Sequence, residues 1–451
     1  MHGSVSVVQM EIKPNNSGPR TPVVLVTGLD RGAIARVSDA VAAATQTATG
    51  AAVPVVGYDL SQLGSGMVTR TVRTGEHTVV GTVELEHACG SCTVRADLLP
   101  LLRQLHRRDG VAAVVVALDP ALEPEAVTWA VENVVVTGMP GFVDAPAAHE
   151  VRVSMTIACV AEMDWLEAAT GDITMAEAGL AAAVSEDERT LAQVAVGQVE
   201  FADALIIAGC DAAARDAWLT ARTAAVLKRL APGAAMVMEI PQRPFTPQVA
   251  AVLLAAIPDD TPHGRIAGPF DSLLRGSPPL HEDCGVMLFE FWAQRPFHPG
   301  RLHEAVDELL DGVVRARGRL WLATQPNRAL WLESAGGGLR VDAGAPWLAA
   351  MDDDELDTAE PAHRAMAALR WDDEYGDRHS SIVILAYRAD PDRIRTALRR
   401  ACLTDDEMAQ GQVLWMAYDD PFGLEHADPC REDLRTPDQA SDNSMKPKGQ
   451  Q

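Results

Sequence analysis

Short runs with no polar residue on either side of the pleat recur through the first half of the chain, and such a strand has to be covered on both faces. Pro22–Thr27 is one, stopped by Gly28; Val111–Leu118 and Ala204–Gly209 are others. Helical sequence separates them, beginning with an Ala-rich stretch from Ala33 to about Ala44. Apolar strands alternating with helices predict an α/β unit: a parallel sheet with helices on both faces. Further strands are expected at Val53–Gly57, Thr78–Leu85, Val151–Val160 and Ala234–Glu239, with helices at Leu98–His106 and Glu125–Val136.

Past Pro241 the pattern changes. Eight prolines fall between Pro241 and Cys284, a connector enclosing a short Ala/Leu helix. Strands at Val286–Trp292, Arg319–Thr324, Ala329–Ser334 and Ser381–Tyr387, with helices at Pro299–Val314 and Asp390–Ala401, then predict an α+β unit with antiparallel pairing. The chain divides accordingly into a loose extension (1–20), an α/β domain (21–241), the Pro-rich connector (242–284), an α+β domain (285–420) and a polar tail (421–451) expected to be disordered.

Charge narrows the function. The chain carries 38 Lys plus Arg against 63 Asp plus Glu, a formal net charge of −25. That field repels polyanions, so direct DNA or RNA binding is not expected. Seven scattered cysteines do not form a secreted disulfide framework. The start lacks a basic, apolar leader, and no apolar run approaches the roughly 20 residues that span a bilayer. A cytoplasmic protein without membrane contact is expected.

The first strand ends where nucleotide-binding α/β proteins place a phosphate loop, here Thr27-Gly-Leu-Asp-Arg-Gly-Ala-Ile-Ala35. A working loop needs Gly-x4-Gly-Lys-Ser/Thr: glycines let amides converge on phosphate, Lys neutralises it and the hydroxyl holds magnesium. Ala33, Ile34 and Ala35 stand at the Gly, Lys and Thr positions, and Asp30 adds a negative charge. Ordinary phosphate-loop chemistry is not expected.

A second signal is Val83-Glu-Leu-Glu-His-Ala-Cys-Gly-Ser-Cys-Thr-Val-Arg-Ala-Asp-Leu98, a strand, a Cys89-x-x-Cys92 turn and a helix. Sulfurs at a helix N-terminus favour metal or redox chemistry. One reading is a zinc or copper(I) site using Cys89 and Cys92 with His87 or Glu86. Another is a dithiol oxidoreductase. The plainest is two small buried side chains.

The segment Glu84-Leu85-x-x-Ala88-Cys89-Gly90-Ser91-Cys92-Thr93-x-Arg95-x-Asp97-Leu98 resembles the hallmark of CobW-type GTPases, relatives of zinc metallochaperones whose pattern is E-L-x-x-G-C-x-C-C-T-x-R-x-D-L. Gln198-Val-Glu-Phe-Ala-Asp203 followed by Asp211 is similar to the segment leading to the family's guanine motif. Arg295-Pro-Phe-His-Pro299, Val314–Leu322, Gly336-Gly, Gly376-Asp-Arg378 and Leu403–Glu407 follow in the order of a CobW C-terminal domain. The resemblance implies a degenerate P-loop NTPase-like domain followed by a CobW C-terminal α+β domain. By the same carry-over, Gly28 and Asp211 are the remaining nucleotide-binding positions, and Cys89, Cys92, His87 and Glu86 the candidate zinc ligands.

The departures carry as much meaning. The N-K-x-D motif reads Ala208-Gly-Cys-Asp211, the E-T-S-G segment reads Ala117-Leu-Asp-Pro120, and Ser91 replaces the middle cysteine. These losses argue against GTP turnover, and no catalytic residue is assigned. The degenerate loop, Cys-x-Ser-Cys in place of Cys-x-Cys-Cys, and Leu122-Glu-Pro-Glu-Ala126 after the central strand together resemble an actinobacterial branch whose members recruit a ribosome hibernation factor to ribosomes when zinc is scarce. That implies a zinc-starvation role exercised through protein contacts. The alternative is a GTP-dependent zinc metallochaperone with an unconventional phosphate loop. Elsewhere, Asp352–Asp357 is expected to be a solvated loop, Trp321, Trp331 and Trp347 core residues, and Cys159, Cys210, Cys284 and Cys402 buried thiols.

Overall fold

The computed structural model describes residues 19–85, 89–180, 188–209, 216–258, 274 and 276–423. Strand β1 (Thr21–Gly28) is followed after only Leu29 and Asp30 by helix α1 (Arg31–Thr49). Gly50 ends α1 at φ 69°, where its N–H reaches the Gln46 carbonyl. Next come β2 (Val55–Asp59), β3 (Met67–Thr74) and β4 (His77–Glu84). With β5 (Val114–Ala117), β6 (Val151–Ala161), β7 (Ala204–Ala208) and β8 (Ala235–Met238) they form one sheet in the order β8-β7-β6-β1-β5-β2-β3-β4.

From β8 to β2 the strands are parallel, as fully apolar runs require. The edge departs from that expectation, because β3 and β4 form an antiparallel hairpin. The reason is local. Met67–Thr74 carries only Met67, Val68 and Val72 among threonines and arginines, too polar for a strand covered on both faces, and Gly75 supplies the turn at φ 58°.

Three cores pack on the two faces of the sheet. One is built from helix α2 (Gly90–Thr93), a π-helical turn (Val94–Leu98), α3 (Leu99–His106) and α4 (Pro124–Asn133). A second lies between the sheet, α5 (Leu191–Glu200) and α6 (Ala217–Leu230). The third packs α1 together with α7 (Pro247–Ala256), so the short Ala/Leu helix expected inside the connector lies against α1. Leu25, Val26 and Val116 are fully buried, and each such side chain contributes about 1.5–3 kcal/mol relative to exposure. The helix expected from Leu98 begins earlier, at Gly90, because Cys89 supplies its cap.

The second sheet is antiparallel. Its strands are β9 (Met287–Ala293), β10 (Val313–Leu320), β11 (Arg328–Ala335), β12 (Gly338–Pro346) and β13 (Ser380–Ala386), ordered β9-β13-β10-β11-β12. Helices α8 (Pro299–Val306) and α10 (Pro391–Ala401) cover one face, and α9 (Pro361–Arg370) follows β12. The helix expected at Pro299–Val314 stops at Val306. Gly312, at φ 70°, carries the chain past Ala389 so closely that a Cβ would lie 2.6 Å from its amide nitrogen. Asp352–Asp357 is not a loop. Asp352 and Glu355 form a capping box that starts a short helix at Asp353–Thr358. Cys284 is half-buried at φ 53° rather than a core thiol, whereas Cys159 and Cys402 are buried; Cys210 lies outside the described residues. Trp321 and Trp347 are core residues, as expected, whereas Trp331 is only half-buried.

The two sheets meet through α5. Glu200 accepts hydrogen bonds from Arg315 at 3.2 Å and Arg317 at 3.0 Å, and Glu333 binds the same two arginines from β11. The β11–β12 turn packs so tightly on the first unit that a Cβ on Gly338 would lie 2.5 Å from the Thr190 hydroxyl. Among the described residues, no helix is long and apolar enough to cross a membrane.

Candidate functional site

The carboxyl ends of parallel strands are where open α/β sheets bind ligands. Here that mouth is formed by Gly28 at the end of β1, the Leu118–Leu122 segment after β5, the end of β2 and the start of α1. Gly28 has φ 152°, and a Cβ there would lie 2.5 Å from the Cys159 carbonyl oxygen. Glycine is therefore demanded by the close approach of β1 to β6, independently of any ligand.

The first turn of α1 would be an anion site, because its amides point outward with no intrahelical partner. The chain fills it with its own carboxylate: Asp30 accepts the Gly32 N–H at 2.7 Å. The next residue supplies a cation. Arg31 donates from Nε and Nη2 to one oxygen of Asp119, at 3.2 and 2.9 Å, while the other oxygen accepts the Ala121 N–H at 3.0 Å. The Asp119 side chain is only 1% exposed. In P-loop enzymes an Asp following such a strand helps hold magnesium; here a guanidinium occupies that carboxylate. Gln198, buried on α5, closes the floor by donating to the carbonyls of Gly28 and Pro120 at 3.4 and 3.3 Å. The two-residue loop, the acidic cap and the absence of a lysine set these described residues apart from a working phosphate loop. A cleft of about 240 Å³ remains beside them, lined by Arg31, Gly57, Tyr58, Asp59, Arg73 and Asp119 among others.

The cysteine motif sits next to this mouth, in the same apolar cluster as Tyr58, Leu60 and Leu118. Cys89 is buried at the N-cap of α2, and its sulfur accepts the Cys92 N–H at 3.2 Å. The π-helical turn that follows inserts an extra residue into the helix, the kind of bulge that collects at functional sites. It turns Asp97 toward the sheet, where Asp97 accepts from Tyr58 of β2 at 2.7 Å and Arg70 of β3 at 2.5 Å. Burial, and then the adjoining Asp97 carboxylate, push the Tyr58 phenol far above its ordinary range, so it stays a donor. The cysteine-bearing helix is thus clamped to two strands.

The structure brings Cys89 and Cys92 together on one turn. Glu86, His87 and Asp211 lie outside the described residues. Among the described residues no group of three His, Cys, Asp or Glu side chains could hold a metal ion. Two sulfurs on one turn are a suitable soft pair for zinc, with Glu86 and His87 the nearest further donors in sequence. Arg31 and Asp119 fall inside the phosphate-loop and Ala117–Pro120 segments compared above without being residues those motifs ask for, and Tyr58 and Arg70 lie in no motif. The one available signal was an acid placed directly after the apolar run ending at Leu118.

Residues 43–238 match the family model described as "CobW/HypB/UreG, nucleotide-binding domain", and residues 286–402 the one described as "Cobalamin synthesis protein cobW C-terminal domain". A Mycobacterium tuberculosis protein named "Zinc chaperone Rv0106" is 44% identical over 414 residues, covering 92% of this chain and 95% of that protein. The "Zinc-regulated GTPase metalloprotein activator 1" of Dictyostelium discoideum is 22% identical over 366 residues, covering 79% of this chain and 73% of that protein. Among solved structures, the Zn(II)-bound YjiA GTPase from E. coli is 14% identical, covers 86% of this chain and 100% of its own, and superposes with a TM-score of 0.33.

Proposed function

Because this chain belongs to the CobW family, we propose that it serves zinc homeostasis as a family scaffold whose nucleotide mouth is filled by its own side chains, and that under zinc starvation it recruits a ribosome hibernation factor to ribosomes. The zinc assignment is supported by the zinc chaperone and the zinc-regulated GTPase among its relatives. Zinc is the species sensed or carried, with Cys89 and Cys92 as its sulfur donors and Glu86 and His87 as the further candidates.

One observation carries the loss of nucleotide chemistry. The Asp30 carboxylate takes the helix amide that would face phosphate, and Arg31 takes the carboxylate that would face magnesium. Recruitment through protein contacts is supported by the net charge of −25, which favours a basic protein over nucleic acid. The test has two arms. Titration with a labelled GTP analogue and magnesium is expected to show no micromolar binding. Affinity purification from zinc-depleted cells is expected to return the hibernation factor, and its absence sinks the recruitment reading.

The second reading, a GTP-dependent zinc metallochaperone, draws on the 240 Å³ cleft left open at the mouth. Magnesium-dependent micromolar binding in the first arm would favour it.

A further inference from the structure

The tryptophans exposed in the second unit are not those the sequence singled out. Trp292, on edge strand β9, is 49% exposed, Trp371, at the end of α9, is 54% exposed, and Leu369 in its last turn is 85% exposed. An ion pair brings the two elements together: Arg370, between Leu369 and Trp371, lies 3.4 Å from Glu290, which shares a face of β9 with Trp292. Glu290 also accepts from Ser381 of the neighbouring strand, which holds the junction in place. Large apolar side chains beside an arginine are the usual anchors of protein interfaces.

The surroundings select the partner's charge. Between residues 352 and 374 there are nine carboxylates and only two arginines, Arg364 and Arg370. Asp373 and Glu374, two and three residues after Trp371, are exposed, as are Asp353, Asp354, Glu355 and Asp357 on the short helix before α9. An apolar centre with an acidic rim is complementary to a segment that presents apolar anchors among lysines or arginines.

We propose that the end of α9 and the edge strand β9 form a docking surface for a basic amphipathic segment of another protein. The surface stands apart from the strand-end mouth and the cysteine turn, so the inference does not rest on the nucleotide or zinc readings.

The probe is a fluorescein-labelled Leu/Lys amphipathic helical peptide, titrated against the full chain at low salt. Saturable binding is expected. The Trp292→Ser/Leu369→Ser/Trp371→Ser variant is expected to bind about tenfold more weakly or worse, with unchanged circular dichroism because all three side chains are exposed. Asp373→Asn/Glu374→Gln is expected to weaken binding severalfold at low salt, with little effect at high salt. Equal affinity for the triple variant overturns the proposal. So does equal binding of a Lys/Ser peptide without apolar residues, which would reduce the effect to net charge. A wild-type dimer that the triple variant converts to monomer would also overturn it, by making the occupant a second copy.

Discussion

The Arg31 guanidinium lies 2.9 Å from the Asp119 carboxylate, joining the first turn of α1 to the segment after β5. Asp119 is enclosed while Arg31 is half in solvent, so the pair is worth less than a fully buried one but more than a surface contact. Arg31→Ala is expected to cost about 1–2 kcal/mol by leaving the carboxylate with only the Ala121 amide. Urea unfolding measures this. A change below a few tenths would show the pair to be incidental.

Gly28→Ala tests whether the glycine at the end of β1 is structural. A Cβ 2.5 Å from a carbonyl oxygen cannot be accommodated without moving β1 away from β6. A loss of about 3 kcal/mol or more is expected, seen as a large fall in the unfolding midpoint. A stable Gly28→Ala protein would mean the strands separate easily there.

Cys89→Ser and Cys89→Ala should part company. Serine is a good N-cap and keeps the helix start, whereas alanine removes the acceptor for the Cys92 N–H and costs about 1 kcal/mol. Both remove a candidate soft ligand of the zinc proposed above. Zinc content of the purified protein is therefore expected to fall in both variants, while the melting temperature falls mainly in Cys89→Ala.

Breaking the contact between the two sheets should split their unfolding. Glu200→Ala leaves Arg315 and Arg317 sharing Glu333 alone as their hydrogen-bonded carboxylate among the bonds described above, and a loss of about 2–4 kcal/mol is expected. Calorimetry should show one transition resolving toward two. A single sharp transition at the original temperature would remove Glu200 from that role.

Two separate pH windows are expected. Burial holds the pKa of His363 and His379 below the ordinary histidine value, Asp377 opposing it at both. A group kept neutral in the fold stabilises fully above its unfolded pKa of about 6.5 and loses that contribution as pH falls through the folded value. Glu333 behaves differently. Burial raises its pKa, but Arg315 and Arg317 outweigh that and bring it to about 2. Its contribution is complete above about 4.5 and is lost only as pH falls from there toward 2. Urea midpoints at pH 7.5 and 5.5 therefore report on the histidines, and His379→Gln should flatten that difference.

Much of the fold could be read without coordinates. The wholly apolar runs at Pro22–Thr27 and Ala204–Gly209 had to lie between helices, and they are β1 and β7 of the parallel core. The hairpin at Met67–Glu84 was harder to see, because its β3 half mixes threonine and arginine with valine and its β4 half pairs only with β3. Helix ends were misplaced where local backbone decided them: Cys89 caps the helix that starts at Gly90, and α8 gives way at Asp307 to a 3-10 turn. The candidate ligands divide similarly: the spacing of Cys89 and Cys92 placed both sulfurs on one turn, but no spacing foretold that Asp97 would clamp that turn to Tyr58 and Arg70.

What the amino-acid order determined by itself was local: which runs are apolar on both sides, where lysine is missing from the phosphate-loop position, and which cysteines share a turn. Only the tertiary structure decided what replaced the missing parts. Asp119 is 88 residues from Arg31, and Gln198 is 170 from Gly28. Such pairs exist only after parallel strands have brought their carboxyl ends side by side, because charge and hydrogen bonding act through space while periodicity and capping act along the chain.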